Sequence, residues 1–113
     1  MDNEISKFIP RSFNLGGTKV KVEVVDRLSG NMLGTCSTSQ SVIQIAKQYM
    51  IDNECREQSS QSITNTFYHE LVHGILQMMA EFELDENEKF VQNFANLLCE
   101  AMKSAEYNDL QKH

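Results

Sequence analysis

The sequence lacks the features that mark several large classes of protein. No apolar run approaches the roughly eighteen residues that span a bilayer, so we expect no membrane segment. Ten Lys and Arg against sixteen Asp and Glu give a net charge of −6, whereas binding to nucleic-acid phosphates requires a basic surface. The opening residues, MDNEISKFIP, have no basic start followed by an apolar stretch. We therefore expect no secretory signal and no nucleic-acid partner.

Cysteine is scarce, and the cysteines do not occur in closely spaced pairs. The chain has three, Cys36, Cys55 and Cys99, with no C-x-x-C pair. A small disulfide-bonded domain normally shows an even set of four or more, so the three are expected to be reduced thiols in a cytoplasmic protein. A zinc site built from thiolates is not expected.

Length and composition are those of one small globular domain. The 113 residues are 41% hydrophobic and 23% charged, and a chain of this size has room for one core and one site. Residues 1–12 are polar and contain the only proline, Pro10, so we predict a flexible lead-in there. Residues 13–113 are predicted to form a single domain.

The first half of the chain has the pattern of β-strands. Valines alternate with charged residues over residues 19–26, which is typical of a half-buried strand. Residues 33–38 predict a returning strand, and residues 41–46 predict another that is a candidate for the sheet edge. Residues 47–60 lack periodicity and predict a loop.

The second half has the pattern of two helices. Apolar residues recur at helical spacing over residues 67–82 and again over residues 90–102. Asp85 and Glu88 resemble a capping box that opens the second helix. Strands followed by helices predict a small α+β domain, with a sheet of about three strands preceding the two helices.

The first helix contains the motif H-E-x-x-H, formed by His69, Glu70 and His73. Residues four apart lie one turn apart on the same helix face, so the two imidazoles can bind one ion. Zinc prefers such nitrogen ligands, and in this motif the intervening glutamate acts as a general base toward a zinc-activated water. On a helical wheel the motif residues fall outside the apolar arc, which predicts that they line a cleft beside the core.

A third protein ligand is required, and the residues leave several candidates. The tenth residue after His69 is Met79, which excludes the metzincin extension H-x-x-G-x-x-H. The remaining histidine, His113, is the last residue and is expected to be mobile. The candidates are three glutamates in or just before the second helix: Glu86, Glu88 and Glu100. Periodicity places Glu100 farther from the apolar arc of that helix than the other two. Spacing alone favours Glu88 only slightly over Glu86.

The stretch HELVHGIL followed by NEKFVQNFANLL resembles the compact gluzincin-type zinc metallopeptidases of phages and mobile elements, distantly similar to the ImmA/IrrE group. The resemblance covers residues 19–102. In these proteins the glutamate that opens an E-x-x-V/A…F-A-x-x-L pattern is the third metal ligand, and that position corresponds to Glu88. The resemblance implies a zincin-like fold, one Zn²⁺ per chain and a peptide or protein substrate. The matching apolar positions are Val91, Phe94, Ala95 and Leu98.

Supporting residues are less well determined by the sequence. Three tyrosines are available to stabilise an oxyanion: Tyr49, Tyr68 and Tyr107. Of these, Tyr68 lies on the apolar face of the first helix and is predicted to be in the core. Three polar residues are candidates to hold a ligand histidine through its second nitrogen: Thr64, Asn65 and Asn93. The strand at 41–46, if it is an exposed edge, is a candidate to pair with an extended peptide.

The sequence therefore predicts a zinc-dependent metallopeptidase with His69, His73 and Glu88 as ligands and Glu70 as general base and then proton donor. The alternative is a catalytically silent, zinc-stabilised regulatory or binding module on the same scaffold. The intact Glu70 favours an enzyme, because a structural zinc site has no need of it. Zinc-dependent hydrolysis of a non-peptide substrate is a third hypothesis. The sequence carries no prediction of the oligomeric state.

Overall fold

A computed structural model describes residues 8–109 and has the predicted α+β architecture. Six strands precede the helices: β1 (Ser12–Leu15), β2 (Thr18–Val25), β3 (Gly34–Ser37), β4 (Val42–Ala46), β5 (Gln48–Ile51) and β6 (Glu54–Glu57). Three helices follow: α1 (Ser60–Met78), the single turn α2 (Phe82–Asp85) and α3 (Glu88–Ser104). Within residues 8–109, none of the helices combines the length and apolar character that crossing a membrane requires.

The first four strands form one mixed sheet in the order β1-β2-β4-β3. β2 and β4 are parallel, while β1 pairs with β2 and β3 pairs with β4 in antiparallel fashion. The prediction that residues 41–46 are a candidate edge strand is therefore wrong, because β4 lies between β2 and β3. This interior position buries Ile43 and Ile45, which are 1% and 0% exposed. Among the described strands, the edges of this sheet are β1 and β3.

The predicted loop at residues 47–60 is also wrong, since most of it is an antiparallel hairpin of β5 and β6. Asp52 and Asn53 form its turn with φ of 49° and 64°, and these two residue types tolerate the left-handed conformation. All four residues of β6 are exposed. The strand therefore has no buried face and no alternation of apolar residues by which it could be recognised.

The helix α1 lies between the sheet on one side and α3 on the other, and the core is formed where these three layers meet. Ile45 from the sheet, Phe67 from α1 and Val91 from α3 are each at most 2% exposed and belong to one cluster. Ile9 is also buried in this cluster, so the core includes a residue that precedes β1. Within the predicted lead-in, residues 1–7 lie outside the described residues.

The segment between the two long helices differs from the predicted capping box. Asn87 is the N-cap of α3, and its side-chain oxygen accepts a hydrogen bond of 3.0 Å from the backbone N–H of Phe90. Asp85 instead ends α2, and Glu88 is the first residue of α3. Both carboxylates are thereby free of a capping role and face the histidines of α1.

Candidate metal centre

His69, His73 and Glu88 form a group that could hold a metal ion. The two histidine Nε2 atoms are 3.2 Å apart. The Glu88 carboxylate lies 3.4 Å from the Nε2 of His69 through one oxygen and 3.2 Å from the Nε2 of His73 through the other. Residues from two helices, fifteen positions apart in the chain at their nearest, thus present their ligand atoms to one point.

The distance between the two histidine nitrogens is close to the dimensions of a zinc site. Zinc lies about 2.0–2.1 Å from imidazole nitrogen and carboxylate oxygen, so two ligands at a tetrahedral angle are about 3.3–3.4 Å apart. The two Nε2 atoms are 3.2 Å apart, and Glu88 approaches each of them with a different oxygen, at 3.4 and 3.2 Å. With one ligand atom from each residue, the three atoms all lie within 4.8 Å of one another. Two imidazoles and a carboxylate also leave a fourth position of the tetrahedron for water or substrate, as in catalytic rather than structural zinc sites.

The structure distinguishes the carboxylates that the sequence left as alternatives. Glu88 belongs to the group, whereas Glu86 is the exposed C-cap residue of α2. Glu100 lies on the far half of α3 and lines a separate groove with Gln61 and Lys103. His113 lies outside the described residues.

Asp85 holds His73 in position, and this residue was not predicted. Its Oδ1 lies 2.6 Å from the Nδ1 of His73, and its Oδ2 accepts a hydrogen bond of 3.3 Å from the side chain of Gln77. An imidazole that donates from Nδ1 presents the lone pair of Nε2, which is the atom directed at the group. The spacing of Asp85 and Glu88 in the sequence matches a helix capping box, whereas the contact of Asp85 with His73 depends on how α2 turns the chain.

The polar residues that were predicted for this holding role have other positions. The hydroxyl of Thr64 donates to the backbone carbonyl of Ser60, and the side chain of Asn65 accepts from Gln61 and Cys99. Asn93 is exposed on α3. Within the described part of the chain, none of the three forms a hydrogen bond with either histidine.

His69 is held instead by Gln92, one turn beyond Glu88 on α3. The Gln92 side chain hydrogen-bonds the His69 ring and also donates to Asn96 at 3.0 Å. Burial, and then the proximity of His73, lower the pKa of His69. The His69 ring is therefore held in its neutral form, which is the form that binds a metal.

Glu70 is more buried than its place outside the apolar arc predicted. The side chain is 9% exposed because β3 covers it, and burial raises its pKa to about 7. Its Oε2 lies only 3.3 Å from the point where a Cβ on Gly34 would be. A carboxyl group with a pKa near neutrality can both accept and return a proton at physiological pH.

A cavity of about 460 Å³ opens beside His69 and Glu70. Its lining includes Met32 and Leu33, which precede β3, and Gln92 from α3. Of the three tyrosines considered as oxyanion partners, none lines this cavity in the described part of the chain: Tyr49 lies in β5, Tyr68 is buried in the core as predicted, and Tyr107 is 79% exposed beyond α3.

The approach of β3 to α1 depends on the missing side chain of Gly34. A Cβ there would lie 2.6 Å from the Cγ2 of Thr66 and 3.1 Å from the Cγ of Glu70. We therefore expect Gly34→Ala to lower the free energy of unfolding by about 1–3 kcal/mol, the usual cost of overpacking. Denaturant titration followed by circular dichroism measures this change.

Thr66→Ser provides the matched test, because it removes Cγ2 and keeps the hydroxyl that contacts Gln58. We expect Gly34→Ala combined with Thr66→Ser to recover part of the lost stability. A double variant no more stable than Gly34→Ala alone would show that the clash with Thr66 is not the cause.

In comparisons with known proteins, no family model, no curated protein and no solved structure matches this chain. The resemblance drawn from HELVHGIL and NEKFVQNFANLL stays a prediction. What the structure adds to it is the juxtaposition of Glu88 on α3 with His69 and His73 on α1, two helices that follow a sheet.

Proposed function

We propose that the protein is a zinc-dependent metallopeptidase. The observation that carries this proposal is the convergence of His69, His73 and Glu88, whose ligand atoms, one from each residue, all lie within 4.8 Å of one another. The separation of 3.2 Å between the two histidine Nε2 atoms is close to the edge of a zinc tetrahedron, and the adjacent Glu70 is buried beside them. A structural zinc site would require a fourth protein ligand and no neighbouring base.

Each residue of the group has a distinct part in the proposed reaction. His69, His73 and Glu88 would hold the ion, while Asp85 and Gln92 fix the two imidazole rings. A bound zinc ion lowers the pKa of a coordinated water toward neutrality and polarises a carbonyl group. Glu70 would accept the proton of that water and then deliver it to the nitrogen of the leaving amine.

The edge of β3 favours a peptide as substrate. The carbonyl of Leu33 accepts a hydrogen bond from the N–H of Ala46 in β4 at 2.9 Å. In an antiparallel pair, residues that bond the partner strand alternate with residues whose N–H and C=O point away from it. Because Leu33 bonds β4, the N–H and C=O groups of Gly34 and Cys36 point away from β4, toward the open edge of the sheet. An extended peptide pairing with this edge would run past Glu70, whose side chain packs against Gly34.

A zinc-stabilised binding module is the second candidate. The observation that favours it is that no tyrosine, lysine or arginine lines the cavity beside His69 within the described residues. Such a module would use the same β3 edge and metal group to bind a peptide without cleaving it.

Metal content and cleavage together test the proposal. We expect protein purified without chelator to contain about one zinc ion per chain. It should also cleave members of a mixed peptide library, as detected by mass spectrometry of the products. Removal of zinc by a chelator should abolish cleavage, and one equivalent of zinc should restore it.

The control for contaminating proteases is a preparation of the His73→Ala variant made in the same way, which should cleave nothing. Stoichiometric zinc with no cleavage of any library member would favour the binding module. Absence of zinc from the protein, even after incubation with excess zinc, would contradict both candidates.

A further inference from the structure

The helix α3 carries a second apolar face, most of which lies outside the core. Phe94 and Leu97 are 49% and 67% exposed, and Ala101 is exposed as well. Together with Phe90, which is half-buried against the core and whose ring centroid lies 5.7 Å from that of Phe94, they form one stripe. We call these four residues the α3 stripe.

The stripe is separate from the face of α3 that packs on α1. At 100° per residue, the buried Val91, Ala95 and Cys99 centre about 130° away from the stripe around the helix. Its four members fall within an arc of about 60° and extend for about 16 Å along the axis. An exposed and continuous apolar stripe of this kind is typical of a helix that packs against another helix.

The spacing of the stripe is palindromic. Its members, Phe90, Phe94, Leu97 and Ala101, are separated by four, three and four residues, the alternation of a coiled-coil seam. A two-fold axis between residues 95 and 96 would therefore place Phe94 against Leu97 of a second copy. The same axis would place the large Phe90 against the small Ala101, so the stripe is complementary to itself in an antiparallel arrangement.

Charges beside the stripe favour the same arrangement. Lys89 and Glu100 are both exposed and lie on the same flank at opposite ends of the stripe. In an antiparallel pair of α3 helices, Lys89 of one copy would lie about 3 Å along the axis from Glu100 of the other, twice by symmetry. In a parallel pair, the Lys89–Glu100 flanks of the two copies would lie on opposite sides of the seam, so these charges would not meet.

We infer that the protein forms a symmetric homodimer in which the α3 stripes of two copies pack antiparallel. Glu88, Gln92 and Asn96 lie about 170° around α3 from the stripe, so both metal groups stay open to substrate. The interface involves one helix from each copy, which places it among the small interfaces of weak, reversible dimers. This inference is independent of the proposed peptidase activity.

Sedimentation equilibrium over about 1–500 µM protein tests the inference, since weak dimers dissociate in this range. We expect the mass to rise from 12.9 kDa toward twice that value with increasing protein concentration. Leu97→Glu should stay monomeric throughout, and its circular dichroism should be unchanged because the side chain is largely exposed. Met79→Glu is the matched control, since Met79 is 61% exposed and outside the stripe, and it should dimerise like the unmodified chain.

The charge pair tests the orientation. Lys89→Glu should weaken the dimer, and Lys89→Glu combined with Glu100→Lys should restore it. A constant mass of 12.9 kDa up to 500 µM would overturn the dimer and indicate that another protein or a terminal segment covers the stripe. If Leu97→Glu dimerises at the same concentrations as the unmodified chain, the α3 stripe is not the interface. If Lys89→Glu combined with Glu100→Lys does not restore the dimer, the antiparallel arrangement is wrong.

Discussion

Glu70→Gln is expected to retain one zinc ion per chain and to lose peptide cleavage by about 10²–10⁴-fold, the usual contribution of a positioned general base. Glutamine preserves the size of the side chain, so its fit against Gly34 is maintained. The amide cannot accept the proton that the proposed mechanism assigns to Glu70. Zinc should stay bound because Glu70 is not one of the three residues whose ligand atoms converge.

The comparison requires kcat measured at saturating peptide and zinc measured by elemental analysis on the same preparation. Glu86→Gln is the matched control, because it removes the same charge from an exposed position one residue beyond α2. Its activity should equal that of the unmodified protein. Cleavage by Glu70→Gln at a rate within twofold of normal would refute the assigned base, and loss of zinc from this variant would show that Glu70 contributes to metal binding instead.

Glu88→Ala is expected to abolish stoichiometric zinc binding, while Glu86→Ala leaves it intact. Replacing a residue that only orients a metal ligand lowers the metal affinity by about 10–100-fold. Replacing a residue that binds the metal directly should lower the affinity by more than that. The two glutamates are two residues apart in the sequence, and only Glu88 brings its oxygens within 3.4 Å of the histidines. Competition with a chromophoric zinc chelator gives the affinities of both variants.

The stability of each apoprotein serves as the control for folding. Glu88 is exposed on the first turn of α3, so its replacement should leave the unfolding transition of the metal-free protein close to normal. Zinc bound equally well by Glu88→Ala and the unmodified protein would remove Glu88 from the ligand set. Loss of zinc from Glu86→Ala alone would transfer the role to that residue.

The parts of this protein that the sequence predicts are those defined by local spacing. The helices α1 and α3 follow from apolar periodicity, and β2 follows from alternating valines. His69 and His73 are one helical turn apart, so their convergence requires only that the helix form. Glu88 was favoured over Glu86 mainly by the family resemblance, and the structure now brings its carboxylate to both histidines.

The parts that could not be predicted depend on contacts between distant segments. The interior position of β4 follows from its parallel pairing with β2, and strand order is not encoded in the periodicity of one strand. The contact of Asp85 with His73 spans twelve residues and requires the turn of α2. Gln92 and Asn96 have the spacing of ordinary exposed residues on a helix, and only the packing of α3 on α1 brings Gln92 to His69.

The single turn α2 has a consequence for recognising relatives of this protein. Because it spans the gap between the long helices, it fixes the separation of His73 from both Asp85 and Glu88 in the chain. Those separations can be written as a search pattern, H-E-x-x-H-x₁₁-D-x-x-E, which includes the residue that orients a ligand as well as the ligands themselves. A genome scan with this pattern would select chains with the same connecting turn, even where the strands before it have diverged beyond alignment.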